Sequence, residues 1–184
     1  SRVQHHHAHV LACLAENGVD EPALGIAWDG TGFGTDGTIW GGEFLTTEGG
    51  DFGRFAHLRT FPLPGGDAAA REPRRSLAGL LWEIGEIERA RRWFSADEFR
   101  LLVQMLERGV NTALSSSVGR LIDGVAALLG VRGVSNYEAQ SAMELEFLAA
   151  SAGDPGAAED AVDLRPAGED RKTWVVDWEP WIRG

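Results

Sequence analysis

The feature that most constrains the fold is a change of hydrophobic period along the first third of the chain. From Val3 to Asn17, the positions Val3, His7, Val10, Leu11 and Leu14 recur with helical spacing, and Gly18 follows where a helix C-terminal cap belongs. From Ala23 to Phe61 the pattern becomes short apolar runs between turns. The runs are Ala23–Trp28, Thr38–Thr46 and Phe52–Phe61, and the turns are Gly34-Thr35-Asp36-Gly37 and Glu48-Gly49-Gly50-Asp51. This predicts a helix followed by a three-stranded antiparallel meander. Gly41 and Gly42 fall inside the second strand. Glycine weakens a strand, so the pair predicts a bulge or the close approach of a ligand.

After a proline- and glycine-rich stretch, Pro62 to Pro73, read as a loop, the helical period returns. Leu77, Leu80, Leu81, Ile84 and Ile87 share one face. Ser95-Ala96-Asp97-Glu98 is a capping box opening a helix through Phe99, Leu102, Val103 and Leu106. Ser117 or a neighbour caps another, with Leu121, Ile122, Val125, Leu128 and Leu129 inward, and a further helix spans Tyr137 to Ala150. Ala152 to Asp170 is acidic and rich in small residues, and is read as a mobile loop. Trp174 to Trp178 reads as a strand, and Glu179-Pro180-Trp181 as a first helical turn with proline well placed. That helix has no room to continue before Gly184, so the chain reads as ending at an element boundary. Three segments follow: 1–61, a β part with the candidate site; 62–150, a helical part; and 151–184, an acidic loop and the start of a next lobe. The class is α/β, with a meander and a helical insertion.

Four of the five histidines lie within His5-His6-His7-Ala8-His9. The run is interrupted by Ala8 and continues into Val10-Leu11-Ala12-Cys13-Leu14, which reads as native helix rather than a purification tag. On a helix, His5 and His9 are one turn apart on one face, a spacing that lets two imidazoles hold one metal ion. Crowded protonated histidines repel, so the run makes sense neutral, with some facing a cation. Asp29-Gly30-Thr31-Gly32-Phe33-Gly34 follows about twenty residues later. Backbone amides of such a loop can wrap phosphate, although Asp-Gly pairs also mark ordinary hairpin turns. Imidazole with carboxylate suits iron or zinc, whereas magnesium prefers oxygen and would accompany a nucleotide.

Composition narrows the partners. The 184 residues carry a formal charge of −11, which repels nucleic-acid backbone and anionic membrane but not a nucleotide met by local amides and a cation. No apolar run reaches membrane-spanning length. The single cysteine, Cys13, excludes an internal disulfide, is compatible with the cytoplasm, and is read as a buried structural thiol. The arginine groups at 71, 74, 75 and at 89, 91, 92 could serve a phosphate or an acidic partner, but are read first as solvated helix faces.

The motifs together resemble one family. Val3-Gln4-His5-His6-His7-Ala8-His9, Asp29-Gly30-Thr31-Gly32-Phe33-Gly34, Thr38-Ile39-Trp40-Gly41-Gly42-Glu43-Phe44 and Phe61-Pro62-Leu63-Pro64-Gly65-Gly66-Asp67 are similar to segments of the HypF carbamoyltransferases of nickel–iron hydrogenase maturation. So are Arg71-Glu72-Pro73, Ser116-Ser117-Val118-Gly119-Arg120-Leu121-Ile122-Asp123 and Tyr137-Glu138-Ala139-Gln140-Ser141-Ala142-Met143-Glu144-Leu145-Glu146. The similarity runs in order along almost the whole chain.

The resemblance implies a partial actin-like ATPase fold of the ASKHA, TsaD-like kind: the first part of the carbamoyltransferase domain. It implies transfer of a carbamoyl group from carbamoyl adenylate, made from carbamoyl phosphate and ATP by upstream domains, to the C-terminal cysteine of a HypE-like acceptor. The product leads to a cyanide ligand. His5 and His9 match the metal-binding histidine pair of the wider group, and Asp29 to Phe33 its first phosphate-and-substrate loop, in which the resemblance implies that Asp29 helps hold the metal. Asp123 matches a ligand-contacting aspartate. Glu138 stands at the nucleoside end, where it reads equally as an acid beside a helix N-terminus. Family members usually carry Glu-Gly-Gln where this chain has Glu138-Ala139-Gln140. The chain matches neither the family's later Ser-Gly-Gly motif nor its C-terminal aspartate, so it is not expected to complete transfer alone. Rival readings are a carbamoyltransferase acting on a small hydroxyl, a tRNA-modifying TsaD-like enzyme, which the negative charge disfavours, and a non-catalytic docking fragment.

Overall fold

Along the chain the elements are α1 (His5–Glu16), β1 (Ala23–Phe33), β2 (Ile39–Glu48), β3 (Asp51–Leu58), β4 (Phe61–Pro64), α2 (Asp67–Arg71), α3 (Pro73–Glu83), a 3-10 helix (Ile87–Trp93), α4 (Ala96–Arg108), β5 (Thr112–Ser115), α5 (Val118–Leu128), α6 (Gln140–Ala152), β6 (Asp163–Pro166), β7 (Trp174–Asp177) and α7 (Glu179–Arg183). This computed structural model describes residues 3–153, 162–168 and 172–183. The chain forms two units. One is Ser1–Thr60 with Ser115–Val118 and Val162–Gly184; the other is Phe61–Leu114 with Gly119–Ala161.

The first unit is a helix on a sheet. β1, β2 and β3 pair antiparallel as a meander. Val10 and Leu14 of α1 pack on Ala27, Trp40, Leu45 and Phe52, an apolar cluster that fixes the helix against the strands. Burying a large side chain in this way contributes roughly 1.5–3 kcal/mol. β1 runs longer than the Ala23–Trp28 expected, because the Asp-Gly-Thr-Gly segment rejoins the ladder. Its register passes from Trp28↔Gly42 to Gly32↔Trp40, so four steps on β1 face two on β2 and Asp29-Gly30-Thr31 are pushed out as a bulge. β7 adds to β3 in parallel, and β6 pairs antiparallel with β7. Thus part of the expected 152–170 loop is strand; positions 154–161 and 169–170 of it lie outside the described residues. The junction after β3 is tied by Trp178, fully buried, whose indole N–H donates to the Arg59 carbonyl at 2.6 Å. Arg59 also reaches the carboxylates of Asp177 and Glu179.

The second unit is mainly helical. Phe61 and Leu63 of β4 are buried, as are Leu77, Leu80 and Leu81 of α3, Phe99, Leu102 and Leu106 of α4, and Leu121 of α5. The expected 62–73 loop is instead β4 and α2, followed by α3 with Pro73 in its first turn. Proline lacks only an N–H that a helix start leaves unused, so it opens α3 rather than breaking it. The capping box of α4 is complete: Ser95 accepts from the Glu98 amide at 3.3 Å, and Glu98 accepts from the Ser95 amide at 2.9 Å. α6 begins at Gln140 rather than at Tyr137. Arg74 is no solvated charge: it donates to the Trp93 carbonyl at 2.9 Å and pairs with Glu72, which Arg75 also meets. Among the described residues, no helix is long and apolar enough to cross a membrane.

Candidate functional site

The N-terminus of α1 and the β1 bulge bring side chains together in the first unit. His5 and His9, one turn apart, place their Nε2 atoms 3.3 Å from each other. His5 Nε2 lies 2.8 Å from Asp29 Oδ2, and His9 Nε2 lies 3.8 Å from the same oxygen. Ligand atoms about 2.1 Å from a tetrahedral zinc-sized ion stand about 3.4 Å apart, so this triangle has the dimensions of one face of such a site. The hydrogen bonding also leaves a surplus. One proton on His5 Nε2 serves Asp29, and His9 Nε2 then faces a nitrogen with no lone pair to offer. A cation between the three takes every lone pair. The side chains of His5, His9 and Asp29 are 47%, 61% and 32% exposed, so the triangle is open on one side. The donor set therefore fits a transition metal with a free coordination position.

Asp29 is held as a carboxylate. Burial raises its pKa, but the hydrogen bonds from His5 and the Gly30 and Thr31 amides outweigh that, and the net shift is downward. The bulge behind it is pinned by Ser117, which is buried. Its Oγ lies 2.7 Å from the Asp29 carbonyl and 2.9 Å from that of Gly30, sharing one O–H between them. Gly41 makes this approach possible, since a Cβ there would stand 2.4 Å from the Asp29 carbonyl oxygen. Gly42 similarly faces the Ser116 carbonyl, at 2.5 Å from a Cβ. The two strand glycines thus answer to the chain's own backbone rather than to a ligand. Gly32 accommodates the histidines: a Cβ there would meet His6 Cε1 at 2.4 Å and His5 Cδ2 at 2.7 Å.

Behind this lies an ionic network that sequence reasoning missed. Glu43 is fully buried; it accepts from Arg54 Nε at 2.6 Å and from Ser116 Oγ at 2.5 Å. Arg54 lies 4.0 Å from the Trp40 ring centroid and donates to Asp36 at 2.9 Å. Asp36 in turn accepts from the Trp40 indole at 2.9 Å. Burial raises the Asp36 pKa, but the Thr38 and Trp40 hydrogen bonds and Arg54 lower it further, for a net downward shift. A signal was present. Glu43 shares strand parity with Leu45 and Thr47, both inward, so period two places it inside, where a charge needs a partner. The partner itself carries no local signal.

His6 and His7 are also buried on α1, where only His7 was expected on the apolar stripe. Cys13 is exposed, not a buried thiol: the narrow inward face of α1 is taken by His6, His7 and Val10. Asp123 and Glu138 belong to the second unit and are not in the histidine cluster. Asp123 is buried, and Arg120 approaches it at 2.9 Å. Burial raises its carboxyl pKa, with Arg120 and Ser141 only partly opposing. Glu138 is exposed just ahead of α6.

Known proteins resemble this chain in sequence and fold. The family profile described as the carbamoyltransferase Kae1-like domain, second subdomain, matches residues 25–184. The chain is 52% identical over 153 residues to carbamoyltransferase HypF2 of Cupriavidus necator, covering 83% of this chain and 19% of that protein. With HypF of Synechocystis sp. it shares 39% over 206 residues, covering 98% and 25%. The crystal structure of full-length HypF in its phosphate- and nucleotide-bound form superposes with a TM-score of 0.83 at 39% identity, over 98% of this chain and 23% of that one. That of T. kodakarensis HypF gives 0.79 at 35%, over 98% and 24%. The fold is therefore mixed α/β of the Kae1/TsaD-like kind. The chain belongs to the HypF carbamoyltransferase family, and spans about a fifth to a quarter of the length of these relatives.

Proposed function

We propose that this chain forms the metal- and phosphate-facing part of a HypF-type carbamoyltransferase, moving a carbamoyl group from carbamoyl adenylate to the C-terminal cysteine of a HypE-like acceptor, the step toward a cyanide ligand. The observation that carries the reading is the triangle of His5, His9 and Asp29, the last at the start of the Asp29–Thr31 bulge, within a chain of this family. The nucleophile is the acceptor's thiolate, so the chain needs no nucleophile of its own, and Cys13 is not assigned one. His5, His9 and Asp29 hold a divalent iron or zinc ion. Bound there, the ion supplies Lewis-acid polarisation of a carbonyl or phosphoryl oxygen. Phosphate oxygens of the nucleotide, with magnesium as counter-ion, are assigned to the loop at Gly30 to Gly32, whose Gly30 and Thr31 amides donate to the Asp29 carboxylate; Ser117 keeps the bulge in place. Asp123 and Glu138 are assigned to nucleotide or substrate contact on the family pattern alone. Orientation and charge stabilisation are the tasks left to the protein. Dependence on ATP-derived adenylate argues for a cytoplasmic setting.

The test uses the intact protein, carbamoyl adenylate and the acceptor. Wild type is expected to hold about one equivalent of iron or zinc by elemental analysis and to add a carbamoyl mass to the acceptor's terminal cysteine. His9→Ala is expected to lose both. Equal metal in the two proteins, or a mass gain on a hydroxyl compound instead of the thiol, refutes the reading.

A further inference from the structure

Three histidine side chains face Asp29, and distance alone groups His5, His6 and Asp29 as a possible ligand set. Hydrogen bonding separates their roles. Gln4 caps α1, its Oε1 accepting from the His7 amide at 2.9 Å. Its Nε2 donates to the Phe33 carbonyl at 3.2 Å. Those two contacts fix which end of the amide is oxygen and which is nitrogen. The second Nε2 hydrogen then points to His6 Nδ1 at 3.2 Å, so Nδ1 accepts. A neutral imidazole with Nδ1 accepting carries its proton on Nε2. Binding a metal through Nε2 would move that proton to Nδ1, against an N–H of Gln4. Turning the amide over would break both contacts that fix it.

His6 Nε2 is fully buried and has no hydrogen-bond partner; Asp29 Oδ2 stands 3.9 Å away. The ring packs closely against Gly32, where a Cβ would stand 3.0 Å from Nε2. We infer that His6 is a positioning residue of the metal centre: its Nε2–H donates to the Asp29 carboxylate when His5 gives its lone pair to the ion, and His6 is not itself a ligand. The inference rests on the proposed metal site. Without metal, His5 donates to Asp29 Oδ2 at 2.8 Å. Once His5 becomes a ligand that bond is lost, and His6 supplies the replacement after closing by about 1 Å to ordinary hydrogen-bond length.

The test labels the histidines with 15N and reads the ring nitrogens of the protein without metal and after zinc or 113Cd addition. His6 is expected to show a protonated Nε2 and an unprotonated Nδ1 in both states, with 113Cd coupling at His5 and His9 only. A proton on Nδ1, or 113Cd coupling to His6, overturns the inference. Two variants separate donation from packing. His6→Leu keeps bulk without a donor and is expected to weaken zinc binding by roughly 10- to 100-fold at unchanged stoichiometry. His6→Gln restores an N–H and is expected to recover most of it; equal affinity for all three proteins also overturns the inference. Should zinc bind nowhere, the function proposed above fails and this inference with it, whereas zinc bound at His5 and His9 with the wrong His6 tautomer overturns only the present one.

Discussion

Ser117 and Ala139 each do something a neighbouring residue type would not. Ser117 shares its hydroxyl between the carbonyls of Asp29 and Gly30 in a buried setting. Alanine there leaves both oxygens without that donor and threonine keeps it. Ser117→Ala is expected to cost ~1 kcal/mol of stability in urea unfolding and to speed amide exchange across Gly30 to Gly32, whereas Ser117→Thr stays near wild type on exchange. Unchanged exchange in Ser117→Ala would remove the serine from the account of the bulge. Ala139 sits at φ +59°, a left-handed conformation that costs an L residue roughly 1–2 kcal/mol. The methyl group at the position where family members usually carry glycine thus matters through backbone strain. Ala139→Gly is expected to stabilise the fold by ~0.5–1 kcal/mol, after the extra entropy glycine loses on folding. A lower urea midpoint for Ala139→Gly would contradict this.

At the scale of elements, local chemistry was legible where both partners lie within one turn. Ser95 and Glu98 announced the start of α4, and the structure closes both bonds of the box. Ser95→Ala is expected to cost about 1 kcal/mol, read by urea unfolding, while Ser95→Asp retains most of the cap. The meander was legible from its turns and alternation. The bulge in β1 was not: Asp29-Gly30-Thr31 has the composition of a turn, and only pairing with β2 on both sides shows the strand resuming. β4 escaped notice because prolines flank Leu63 and dominate a four-residue element. β6 escaped because all four of its residues are exposed, so no buried face left a period to read.

Across the whole molecule, buried titratable groups set the response to acid. Burial and then the Arg54 guanidinium hold the His57 pKa below its ordinary value, with the Leu58 carbonyl and Glu43 only partly offsetting them. His6 is lowered too, by burial first. A histidine depressed in the folded state binds its proton more readily when unfolded. The stability it contributes is present above the unfolded value of about 6.5 and is lost as pH falls through the folded value. Urea midpoints are therefore expected to fall between pH 7.5 and 5.5. His57→Gln, which keeps an N–H for the Leu58 carbonyl, is expected to flatten that slope. An identical slope in the variant would show that His57 does not set it.

The sequence by itself determined the α/β class, the meander, the start of α4 and the helical spacing of His5 and His9, because each depends on residues a few positions apart. It also carried the family, through motifs kept in order along the chain. Tertiary structure alone decided the rest. The parallel pairing of β3 with β7 joins Ala56 to Trp174, and no local pattern records a partner at that separation. Arg54 as counter-charge to Glu43, and Ser117 as anchor of the bulge, are likewise long-range choices. The distinct roles of adjacent histidines follow from the same cause. Four histidines within five positions look alike in sequence, and only the bonds of Gln4 to His7 and Phe33 fix which nitrogen of His6 carries the proton.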